Sequence, residues 1–75
     1  MKKITLVYSN AESEGVFTAT SWQNDVAEAV EALVKTFPRD FNPANIDFQR
    51  VSVDGRDLGV GGLTEAELAL KKLCA

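Results

Sequence analysis

The sequence predicts an α+β fold: a two-layer β-β-α-β-(β)-α chain with a small mixed sheet and helices at about 22–37 and 64–74 on one face. Three observations predict it. Residues 3–8 alternate with the period of a strand, residues 26–37 repeat apolar side chains with the period of a helix, and an Asp-Gly pair splits a later alternating stretch into a hairpin. The 75 residues are read as a single small domain, 1–75. At this length folding removes roughly 60% of the chain's surface from water, so nearly every large apolar side chain is needed inside.

In the first strand, Ile4, Leu6 and Tyr8 point one way and Thr5 and Val7 the other. Residues 9–15 (SNAESEG) are polar and turn-rich and read as a hairpin loop. Residues 15–21 form a second strand, with Val16, Thr18 and Thr20 on one face and Phe17 and Ala19 on the other. The helix follows, with Val26, Val30, Leu33 and Phe37 in its stripe and Ala29 and Val34 widening it. Ser21 or Asn24 is expected to cap its start, Glu31 and Lys35 form an i,i+4 pair, and Pro38 stops it at Phe37. The helix is expected to cross over and lay the third strand parallel to the first.

Residues 38–45 (PRDFNPAN) form a loop in which Asn42-Pro43 opens one short helical turn. Ile46 and Phe48 then alternate, as do Val51 and Val53, but the parity changes between the pairs. Either a bulge lies at Gln49-Arg50 or the strand proper begins near Gln49. Asp54-Gly55 suits a type I′ turn. A two-residue loop there sets Val53 opposite Arg56 and Ser52 opposite Asp57, with Val51, Val53, Leu58 and Val60 on one face. Gly59, Gly61 and Gly62 read as slack leading to the last helix. Its start is marked by a capping box at Thr64 and Glu67 and a staple between Leu63 and Leu68. Ala66, Leu70, Leu73 and Cys74 make its inward stripe.

The segment Gln49-Arg50-Val51-Ser52-Val53-Asp54-Gly55-Arg56-Asp57-Leu58 resembles the third-strand and turn segment of ubiquitin-like domains. About ten residues carry the motif, and the order of elements extends the parallel to about 60. The resemblance implies a β-grasp fold and a carrier or docking role. It does not extend to the docking strand residue, which is Ser52 here, to the turn lysine, replaced by Arg56, or to the family's fifth strand and Gly-Gly tail, in whose place stand a helix and Cys74-Ala75. A conjugating role is therefore not implied.

Composition excludes several chemistries. The chain has no histidine, so Ser-His-Asp and Cys-His sites are impossible within it. One cysteine, Cys74, permits no internal disulfide, which suits a reducing, cytoplasmic setting. Residues 1–8 are too short in apolar character for a signal peptide, and no run nears the ~20 apolar residues of a membrane span. A net charge of −3 argues against nucleic acid as a partner. No metal cluster or cofactor motif is present, so no cofactor is expected. The loop Gly59–Gly62 lacks the lysine of a phosphate loop, though an anion could sit where it opens a helix.

The expectation is a non-enzymatic protein-protein interaction module of the size and composition of a small intracellular, phage-type inhibitor or regulator. Its partner is a larger protein, one with a basic surface if the acidic stripe is used. The candidate partner-binding residues are the stripe Asp25, Glu28 and Glu31, the loop aromatic Phe41, and Arg56. Phe37, Phe48 and Trp22 are expected in the core. An unpaired edge at 15–21 could pair with its own copy, leaving monomer or edge-paired homodimer. Two alternatives stand beside this one: a divergent ubiquitin-like docking domain, and a small-ligand or anion binder using the Gly59–Gly62 loop.

Overall fold

The computed structural model describes residues 1–74. Two long strands, β1 (Lys2–Asn10) and β2 (Ser13–Gln23), are followed by helix α1 (Val26–Val34), a 3-10 turn (Pro43–Asn45), strands β3 (Ile46–Val53) and β4 (Arg56–Asp57), and helix α2 (Gly59–Cys74). The α+β order expected from the sequence is thus present. The sheet order is β2-β1-β3-β4.

Every neighbouring pair is antiparallel, so the expected mixed sheet is corrected. Ile4 lies opposite Val53 and Leu6 opposite Val51, with the strands running in opposite directions. The reason is geometric. A helix crossing back over the sheet returns the chain parallel to the strand that precedes it, which is β2. Because β2 is antiparallel to β1, β3 must be antiparallel to β1 as well. Residues 51–53 are thus not parallel to β1.

The parity change in β3 is resolved by a bulge. Val7 faces Arg50 and Tyr8 faces Phe48, which leaves Gln49 as the extra residue. Ile46, Phe48 and Val51 are consequently all buried on one side. The second hairpin has the expected register, Ser52 opposite Asp57 and Val53 opposite Arg56. Its turn places Asp54 at φ 51° and Gly55 at φ 82°, both in the left-handed region that a type I′ turn requires. The first hairpin is tighter than expected. Ala11-Glu12 forms the turn, Asn10 Oδ1 accepts the Glu12 N–H at 2.7 Å, and the irregularity falls at Gly15, φ 97°.

Helix α1 is shorter than residues 22–37. Trp22 belongs to β2 and is 61% exposed, against its expected place in the core. The cap is Asp25, whose Oδ1 accepts the Glu28 N–H at 2.9 Å, rather than Ser21 or Asn24. At the other end the Thr36 and Phe37 N–H groups bond three residues back to Leu33 and Val34, a tightened last turn.

Helix α2 begins five residues before Thr64, which corrects the capping box, the staple and the slack together. The Asp57 carboxylate accepts the Gly59 N–H at 2.7 Å, and Gly59 enters at φ 63°. Val60, expected inward, is 80% exposed on the first turn, and Leu68 is exposed too. The buried stripe is Gly62, Ala66, Ala69 and Leu70, while Leu73 and Cys74 face outward. Gly62 is required there, because a Cβ would lie 2.5 Å from Leu58 Cβ and 3.2 Å from Val51 Cβ.

One core joins both layers. Ile4, Leu6 and Tyr8 from β1 and Val51 from β3 meet Val26, Val30 and Leu33 from α1 and Ala66 and Leu70 from α2. Both helices cover the same sheet face, leaving the other open.

Candidate functional site

The structure does not gather the five sequence-predicted residues into one site. Asp25 Oδ1 accepts the Glu28 N–H at 2.9 Å at the start of α1, and Glu28 Oε1 accepts from the Asn24 side-chain amide at 3.4 Å. Glu31 pairs with Lys35 at 3.2 Å, as the i,i+4 spacing predicts. Phe41 lies beyond the opposite end of α1. It is half-buried and stacks on Phe37 with ring centroids 4.3 Å apart. Phe37 in turn meets Tyr8 edge-on at 6.3 Å, and Tyr8 meets Phe17 at 5.7 Å. Phe41 is therefore the end of an aromatic row against the core, not an exposed anchor. Arg56 is exposed at the β3–β4 turn, across the sheet from α1. The Gly59–Gly62 segment is helix, and the Asp57 carboxylate already occupies the position an anion would take at its first N–H.

The two margins of the sheet differ sharply. On the β3 side, β4 covers the end of the strand, and Leu58 N–H donates to the Val51 carbonyl at 2.9 Å. The remainder of that margin carries the Gln49 bulge, the charges of Asp47 and Arg50, and an Arg50–Asp57 contact at 3.8 Å. Bulges and charges are devices that prevent another strand from adding.

The β2 margin has none of them from Val16 to Gln23; its one irregularity and its one charge, at Gly15 and Glu14, lie at the hairpin end. Nine consecutive residues, Gly15–Gln23, carry no charge and no proline. Their hydrogen-bonding groups can be assigned. The Asp54 N–H donates to the Lys3 carbonyl at 2.8 Å, so the odd-numbered residues of β1 turn their backbone groups toward β3. The even-numbered Ile4, Leu6 and Tyr8 therefore bond their β2 partners Ser21, Ala19 and Phe17. Between those partners, Thr18, Thr20 and Trp22 turn their N–H and C=O groups outward. Val16 and Trp22 are 63% and 61% exposed, an unusual cost for apolar side chains in so small a chain.

A groove of about 230 Å³ runs between this edge and α1. Its walls are small side chains, Ala19 and Ser21 from β2 and Ala29 and Ala32 from α1, over Leu6 and Leu33. Glu28, Glu31 and Lys35 stand beside Gln23 at one end of the same side. Two of the three acidic residues singled out in the sequence thus border the edge. Trp22 was expected in the core, and the groove was not foreseen. The available signal was the uncharged strand 15–21, read as an unpaired edge, which runs on to Gln23 and carries Trp22 with it.

A second, open groove of about 370 Å³ lies between β3 and the end of α2, lined by Ile46, Phe48 and Leu70 with Asp47, Glu67 and Lys71. Among the described residues no three His, Cys, Asp or Glu side chains are placed to hold a metal ion, and no helix is long and apolar enough to cross a membrane. No protein-family model, curated protein or solved structure matches the chain.

Proposed function

We propose that this chain is a non-enzymatic docking module that accepts an extended protein segment along β2. The observation that carries the reading is the run Gly15–Gln23, uncharged, regular beyond Gly15 and with the backbone groups of Thr18, Thr20 and Trp22 directed outward. An added strand satisfies those groups, and alternate side chains enter the groove between β2 and α1, which is how strand addition combines affinity with selectivity. Glu28 and Glu31 stand beside one end of the groove, already engaged by Asn24 and Lys35. A small protein that covers a strand-binding partner in this way would act as its regulator or inhibitor.

The test is Thr20→Pro. The Thr20 N–H faces solvent, so proline removes no internal ladder bond while blocking strand addition. The variant is expected to keep the far-ultraviolet circular dichroism of the native chain and to lose partners that the native chain captures from its host. Capture of the same partners at the same yield by Thr20→Pro refutes the reading.

A further inference from the structure

We infer that the occupant of the β2 edge is a second copy of this chain, paired antiparallel about a two-fold axis at Ala19. The inference rests on the reading of β2 as a docking edge and names what docks there. Across such an edge only residues with outward backbone groups can bond, so even-numbered residues must face even-numbered residues. A two-fold axis at Ala19 sets Thr18 opposite Thr20 of the second copy and brings Val16, at the irregular end of the strand, toward Trp22 of the second copy. The two most exposed apolar side chains of the strand therefore cover each other, twice by symmetry. Moving the axis to Thr18 puts Trp22 opposite Glu14, and moving it to Thr20 puts Val16 opposite Asn24. Neither matches apolar with apolar.

The helix-side face is complementary in the same register. Phe17, 37% exposed, falls opposite Ser21 of the second copy, beside the groove walled by Ala19, Ser21, Ala29 and Ala32. The groove's small side chains leave room for that ring. Each copy carries a net charge of −3; the strip 15–23 carries none, and Glu14 of the second copy falls just beyond it, opposite Asn24. The product is a continuous sheet of two four-stranded halves with an isologous interface.

Cross-linking in the full chain tests both the pairing and its register. In a Cys74→Ser background, Ala19→Cys places two thiols at the symmetry axis, at a non-hydrogen-bonded pair whose Cα atoms are about 4.5 Å apart, within the range a disulfide spans. Ser21→Cys places them about four strand positions apart, roughly 13 Å at strand spacing. Ala19→Cys is expected to oxidise to a dimer at least tenfold faster than Ser21→Cys, and adding Thr20→Pro is expected to remove that advantage. Sedimentation equilibrium of the native chain is expected to give a dimer at concentrations of about 100 μM, an ordinary affinity for a small interface. A monomer at that concentration, or equal oxidation of the two cysteine variants, overturns the self-pairing. A monomer whose capture of a different protein is abolished by Thr20→Pro overturns self-pairing while sparing the docking reading. Capture indifferent to Thr20→Pro overturns the docking reading itself.

Discussion

Replacing Gly62 by alanine adds one methyl group at the closest approach of α2 to the sheet. The new Cβ would stand 2.5 Å from Leu58 Cβ, 3.2 Å from Val51 Cβ and 3.3 Å from Leu58 Cδ1. Carbon atoms sit comfortably at about 3.5–4.0 Å, so the first contact is short by roughly 1 Å. Rotation about χ1 does not relieve it, because Leu58 Cβ is fixed to its own backbone. The helix must lift from β3, or the 58–59 connection must move, and Val51 is completely buried beneath it. Overpacking of this kind costs about 1–3 kcal/mol, and a fixed Cβ partner puts the site at the top of that range. Alanine recovers up to about 1 kcal/mol of helix propensity, leaving a net loss of about 2 kcal/mol. For a chain of this size that lowers Tm by roughly 8–16 °C. Gly61→Ala is the control. It lies next door in the same helix, is exposed, and a Cβ there meets nothing within 4 Å. It is expected to leave stability unchanged or raise it by up to about 1 kcal/mol. Urea and thermal unfolding of both variants supply the comparison. Equal midpoints for Gly61→Ala and Gly62→Ala would show that α2 does not approach Val51 and Leu58 as described, and the reasoning for an early helix start would fall with it.

Asp25→Ala removes the cap of α1 and is expected to cost about 1 kcal/mol in urea unfolding, and Asp25→Asn much less, because the amide oxygen can still accept the Glu28 N–H. Phe41→Ala breaks the stack on Phe37 and is expected to lower stability by about 1–2 kcal/mol while leaving strand docking unchanged. Trp22→Ala should do the reverse: its ring is mostly in solvent, so stability stays within about 0.5 kcal/mol, while docking measured by titration calorimetry weakens at least tenfold.

The β3–β4 turn and its register through Asp57 were legible, because a turn with only one good conformation fixes register, and register fixes which side chains share a face; the strand ends there, so Val60 lies on α2 and off that face. The bulge was one of two readings that the parity change allowed. Ile46 and Phe48 cannot point inward with Val51 unless one residue between them is skipped, and Gln49 is that residue. The start of α2 was not legible. Three glycines in four positions have poor helix propensity, and Thr64-Glu67 is a strong local start signal. What overrode both lies elsewhere in the chain: the Asp57 carboxylate that receives the Gly59 N–H, and a contact with Val51 and Leu58 that only glycine permits. The direction of β3 was misread because the crossover was referred to β1 instead of β2. Phe41 was misread because its polar neighbours Asp40 and Asn42 suggested solvent, whereas the ring folds back on Phe37. The acidic residues of α1 were visible from the start. Their setting beside the β2 groove was not, since it depends on how the helix lies over the strand.

The unequal margins of the sheet also govern how far any assembly of this protein can grow. Strand-by-strand polymerisation needs two adhesive sides on every unit, one to receive and one to offer. Here the β3 side is occupied by a two-residue strand, a bulge and charges, so the proposed docking leaves each molecule a single adhesive side. Once that side is covered, whether by a copy or by another protein, nothing is left to propagate. A long uncharged edge that would seed fibres in a sheet with two such margins becomes, in this one, a contact that terminates after a single event.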